Sequence, residues 1–164
     1  MKNTIKKGLM SVAICLLSVQ PGMACWDNTA TNALKIKHLN TMLMATALRC
    51  RNTESNFLPS YNAFVQKHNM LLGQQNSIVR VELAKTLGNG GAIERSDNLS
   101  VGYANTYGAG HPSMNCAQLK VLAVDIANQP SDVANFSLIA DLVLLPSKVP
   151  GNVCAAEPIK IAAK

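Results

Sequence analysis

Apolar residues recur every three or four positions along most of the chain, and short clusters of Gly, Pro and Asn interrupt them. From about Thr29 to Arg49, with Cys50 closing the pattern, Ile36, Leu39, Leu43, Ala47 and Cys50 repeat with helical spacing. Met42, Met44, Ala45 and Leu48 widen that stripe past a single face, which places this helix deep in a core. Residues 51–58 are polar and connect to Pro59, which suits the first turn of a helix because its missing N–H is not needed there. The next stripe, over Pro59 to Leu87, consists of Tyr61, Phe64, Val65, Leu71, Leu72, Ile78, Val79 and Leu83. Gly88-Asn89-Gly90-Gly91 ends it.

Ala92 to Tyr107 predicts a weaker third helix, with Ile93, Leu99, Tyr103 and Tyr107 inward and Gly102 interrupting. Gly108 to Pro112 closes it, and Ser113 to Asn128 predicts a fourth around Cys116, Leu119, Leu122, Val124 and Ile126. After Gln129-Pro130, Ser131 caps a fifth apolar segment, Asp132 to Leu145, whose LIADLVLL stretch fits a helix or a strand. From Pro146 onward, three prolines and one glycine predict an irregular tail, residues 146–164, tied back by Cys154. Residues 25–145 then form one domain, an all-α, disulfide-stapled bundle of four to five helices.

The first 24 residues follow a different logic. Lys2, Lys6 and Lys7 precede an apolar run from Leu9 to Val19, Pro21-Gly22 breaks it, and Gly22 and Ala24 place small residues at a cleavage site. This is the layout of a secretory signal peptide, and the run is too short to cross a bilayer, which takes about 20 residues. The mature chain is expected to begin at Cys25, to carry no transmembrane segment, and to work in the periplasm or outside the cell. A lipid-anchored Cys25 is the alternative, but lipoprotein signals carry an aliphatic residue three before the cysteine, where this chain has Gly22.

Charge excludes one class of partner. Removal of the three leader lysines lowers the formal charge from +6 to +3, with twelve basic and nine acidic residues scattered along the chain. Phosphate backbones require clustered Lys and Arg, so nucleic acid is not an expected partner. Export also changes the reading of the cysteines. Cys15 falls in the leader, and Cys25, Cys50, Cys116 and Cys154 remain as two disulfides. Cys25 and Cys50 flank the first helix, roughly 35 Å apart, and cannot pair. Of the two remaining connectivities, helices alternating up and down favour Cys50–Cys116 with Cys25–Cys154.

Candidate chemistry is sparse. His38, Met42, His68 and Met70 fall on the first two helices, where an antiparallel pair would face each other. Imidazole and thioether donors suit copper, Cu(I) above all. The same residues also read as ordinary core, since Met fills gaps and a histidine in an apolar stripe is usually hydrogen-bonded. His68, Gln75 and Glu82 recur at seven-residue steps as a polar strip that fixes helix register. The glycine run lacks the G-x-x-x-x-G-K-[ST] pattern of a phosphate loop, and neither G-x-S-x-G nor H-E-x-x-H occurs.

Cys25-Trp26, the stretch from Thr41 to Cys50 (TMLMATALRC), Tyr61 to Phe64 (YNAF) and Tyr103 to Gly108 (YANTYG) together carry a resemblance. Over about residues 25–120 the chain resembles a group of small exported helical proteins of Gram-negative bacteria whose mature form starts with Cys-Trp. The resemblance implies export, helices and disulfides, and no reaction. The expected function is therefore an envelope binding or interaction protein without catalysis, whose partner is an envelope protein or a small ligand. The alternative is a small-ligand or copper carrier using His38, Met42, His68 and Met70.

Overall fold

The computed structural model describes residues 25–154. The expected leader, residues 1–24, and the tail from residue 155 lie outside the described residues. Among the described residues five helices follow one another: α1 (Asn28–Cys50), α2 (Leu58–Lys67), α3 (Asn69–Tyr107), α4 (Cys116–Asn128) and α5 (Val133–Val143). The fold is all-α and stapled by two disulfides. The apolar segment after Ser131, open between helix and strand by pattern alone, is helical. Its cap is Asp132, whose carboxylate accepts from the N–H groups of Ala134 and Asn135.

α1 is the axis of the molecule. Asp27 caps its start by accepting from Ala30 N–H at 2.7 Å, and Ile36, Leu39, Met42, Leu43 and Ala47 are wholly buried. α2, α3, α4 and α5 all pack against it. Two apolar clusters result. One gathers Phe57, Phe64, Leu119, Ile126 and Phe136 around the C-terminal part of α1. The other gathers Trp26, Val79, Leu83, Leu99 and Tyr103 around its N-terminal part, where Ala30, Ala33 and Ala92 let backbones approach closely.

The expected second helix, Pro59 to Leu87, is divided. At His68 (φ −104°, ψ 16°) the chain leaves α2 and re-enters a helix at Asn69. The apolar stripe continues across the joint, so periodicity alone does not reveal it. His68 spans the gap with its own backbone: its N–H donates to Phe64 O at 3.0 Å and its carbonyl accepts from Leu72 N–H at 2.9 Å.

The expected break at the glycine run is real but confined to one residue. Gly88 has φ +67° and ψ 173°, a region open in practice only to glycine, and the chain is helical on both sides of it. α3 therefore folds back as two antiparallel arms. Arg80 and Asp97 form an ion pair at 3.8 Å, although a straight helix would hold them roughly 25 Å apart. The second arm returns to the end of α1, where Gly110 lies against the Arg49 side chain. Cys116 follows within reach of Cys50, and the bridged Cα atoms are 5.8 Å apart.

After α5 the chain runs as an extended strap, residues 144–154, back to the start of α1. Cys154 bonds Cys25 with Cα atoms 4.9 Å apart. Trp26 N–H donates to Asn152 O at 2.7 Å, and Cys154 N–H donates to Trp26 O at 2.9 Å. The indole N–H donates to Pro150 O at 2.7 Å. Gly151, at φ +128°, lies flat on this indole, where a Cβ would sit 3.3 Å from the ring. Cys25 is thus engaged as a disulfide, which leaves no thiol there for a lipid. Among the described residues no helix is long and apolar enough to cross a membrane.

Candidate functional site

The strap crosses the bundle directly over His38, which sits at the seam of the two apolar clusters. The imidazole is only 3% exposed. Tyr103, from the second arm of α3, stacks on it with ring centroids 3.8 Å apart and planes 11° from parallel. Tyr107, one turn on, meets it tilted at 5.6 Å. Each side chain arrives from an element already justified by packing: His38 from the buried axis, the tyrosines from the returning arm.

Two further contacts hold the end of α5 and the start of the strap above these rings. Leu145 N–H donates to Tyr107 Oη at 3.0 Å. His111 Nε2 donates to Val143 O at 2.7 Å, and its ring stacks near Tyr107 at 5.5 Å. Ser147, at the crest of the strap, lies 3.3 Å from His38 Nδ1. Burial lowers the His38 pKa to about 4, so the imidazole is neutral at physiological pH. Burial pushes the Tyr103 hydroxyl upward, and the neighbouring Ser147 hydroxyl opposes that push. Among the described residues neither His38 Nε2 nor Tyr103 Oη, both buried, has a hydrogen-bond partner of normal geometry.

A cleft of about 330 Å³ opens beside the strap over Tyr103 and His38. Arg95, Asn98, Gly102 and Thr106 form one wall, at the helical spacing of a single face of α3, and Ser147 and Lys148 form the other. On the far side of the strap a second cleft of about 240 Å³ also reaches His38. The Lys35–Asp141 ion pair, at 2.8 Å, lines that second cleft.

The Ser147–His38 contact has the outline of a nucleophile and its base, but the chemistry does not follow. A base with pKa near 4 is a weak proton acceptor at neutral pH, and no third group orients the imidazole from Nε2.

Of the residues singled out from the sequence, only His38 belongs to this site. Met42 is wholly buried and its sulfur lies 3.8 Å from the Thr46 hydroxyl. His68 is 1% exposed, with Nε2–H donating to Ile126 O at 3.1 Å and Nδ1 2.6 Å from Ser131 Oγ. Its ring stands edge-on to Phe136 at 4.9 Å, and burial lowers its pKa. It is a hydrogen-bonded core histidine that ties the α2–α3 joint to the α4–α5 turn. Met70 is 76% exposed. The expected facing of residues 38–42 with 68–72 is out of register. Lys37 Nζ donates to Asn76 Oδ1 at 2.9 Å, so His38 sits about two helical turns from the level of His68. His38, Met42 and His68 take separate partners, Met70 faces solvent, and among the described residues no three His, Cys, Asp or Glu converge on a common point. His68, Gln75 and Glu82 are all buried, yet no hydrogen bond joins them among the described residues.

Ser147, Arg95 and Lys148 were not legible as site residues, whereas Tyr103 and Tyr107 were legible as inward-facing aromatics without a stated role. The pair of tyrosines four apart was a signal, since i and i+4 share a face. Ser147 and Lys148 gave none, because nothing in a Pro-rich tail states which core residue it will cross. Comparison with protein-family models, curated proteins and solved structures finds no match to this chain.

Proposed function

We propose that the protein is a non-catalytic binding protein of the cell envelope that holds a small ligand in the cleft beneath its C-terminal strap. The observation that carries this reading is the pair of unpartnered groups, His38 Nε2 and Tyr103 Oη, buried in the wall of one cleft. An unsatisfied buried polar atom costs about 1–3 kcal/mol, and two in one place mark a spot adapted to something other than stability. The cleft volume falls at the lower end of small-molecule sites. The envelope location rests on the leader-like start, on the two disulfides, which persist in oxidising compartments, and on the resemblance to exported Cys-Trp-starting proteins.

Gly102 provides the test. It lines the cleft, and a Cβ there would meet nothing within 4 Å. Gly102→Leu therefore fills the cleft while improving helix propensity. Native mass spectrometry of the protein isolated from the envelope fraction of its own cells is expected to show a chain starting at Cys25 with two disulfides and a non-covalent small-molecule adduct. The Gly102→Leu variant is expected to fold and to lack the adduct. An adduct retained by that variant, or none in the wild type, contradicts the reading.

A further inference from the structure

We infer that the ligand of the strap cleft is a small anion, one that presents carboxylate or phosphate oxygens to Arg95 and Lys148. This rests on the binding reading above and narrows it to a chemical class. Two cationic side chains face each other across the cleft, Arg95 from the second arm of α3 and Lys148 from the strap. Among the described residues no acidic side chain lines it and neither cation has an ion-pair partner. The other cleft at the strap is different: there Asp141 neutralises Lys35.

The groups beneath the cations ask for the same ligand. If the Ser147 hydroxyl donates to His38 Nδ1, the neutral imidazole carries its proton on Nε2. Nε2–H is then a donor without an acceptor, and the Tyr103 hydroxyl has beside it only the Ser147 oxygen, with which it makes no hydrogen bond of normal geometry. An anion is the species that satisfies two stranded donors and two cations together, and hydrogen bonds to a charged acceptor are the strong ones. Both atoms lie just below the surface of the cleft, so a seated oxygen reaches them by pressing past Ser147.

The experiment is an amide NMR titration of the disulfide-bonded protein with three probes: benzoate, inorganic phosphate, and benzamide as the neutral counterpart of benzoate. Benzoate and phosphate are expected to move the Arg95, Gly102 and Lys148 signals saturably, and benzamide to leave them in place. Arg95→Gln with Lys148→Gln, both exposed and outside the core, is expected to weaken anion binding at least tenfold with the spectrum otherwise unchanged. Benzamide moving the same signals as strongly as benzoate, with the double variant indifferent, overturns the anion assignment and leaves the cleft reading intact. No movement of cleft signals with any probe overturns the anion assignment, and an adduct lost in Gly102→Leu would show that the cleft reading itself still stands.

Discussion

His38 shows how one residue can be legible in position and illegible in role. Its place in an apolar stripe marks it as buried, and it is. What surrounds it, two tyrosines from α3 and a serine from the strap, depends on segments 65 to 109 residues away. Burial nevertheless has a measurable consequence. The folded pKa, about 4, lies below the ordinary 6.5, so the unfolded chain takes up a proton first as pH falls. Stability from this group is complete above pH 6.5 and declines toward pH 4, by a total on the order of 3 kcal/mol. Denaturant unfolding between pH 7 and 4 is expected to show this decline, and His38→Leu to flatten it. The remaining slope belongs to His68, whose pKa is lowered in the same direction. An unchanged slope in His38→Leu would refute the assignment.

Tyr103 yields a sharper expectation at the same scale. Tyr103→Phe keeps the ring stacked on His38 and removes a buried hydroxyl that has no partner. The variant is expected to be as stable as wild type, or more so by about 1 kcal/mol, and to bind anions more weakly. A loss of stability with ligand binding untouched would show that the hydroxyl serves the fold.

At the scale of elements, helical periodicity located α1 and α4 because each has a buried run of helical spacing and a recognisable stop, whereas it placed the α5 segment but left it open between helix and strand. Asn115 and Gln118 supply α4 with a reciprocal capping box, which moves its start from Ser113 to Cys116. The two departures have separate causes. His68 breaks a helix without a glycine or proline, and its side chain compensates by hydrogen bonds to residues 126 and 131, which no local pattern encodes. In the glycine run only Gly88 needs its freedom. Gly88→Ala is expected to cost about 1–3 kcal/mol. Gly90→Ala, helical and facing open space, is expected to gain up to about 1 kcal/mol. Thermal unfolding of the two variants checks the contrast, and equal shifts would contradict a turn made at Gly88 alone.

The whole molecule is a bundle organised on α1 and tied at both ends of that helix. Cys50–Cys116 anchors the returning arm near the end of α1, and Cys25–Cys154 anchors the strap near its start. The sulfur pairing was legible because a 23-residue helix keeps its flanking cysteines apart and alternating helices bring the other pair together. The site was not, because it exists only once the strap has crossed His38. Sequence separations of 129 and 66 residues give loops whose closure stabilises by about 4–5 kcal/mol each in the chain-entropy picture.

The central claim is that the strap, held by Cys25–Cys154, completes a cleft on a bundle that stands without it. Amide hydrogen exchange of Cys25→Ser with Cys154→Ser, compared with wild type, tests this directly. Protection is expected to fall at Leu145 and Gly151, which donate within and beneath the strap, and at Trp26, while the α1 amides from Ile36 to Ala47 keep theirs. Unchanged protection along residues 144–154, or protection lost throughout α1, would contradict it.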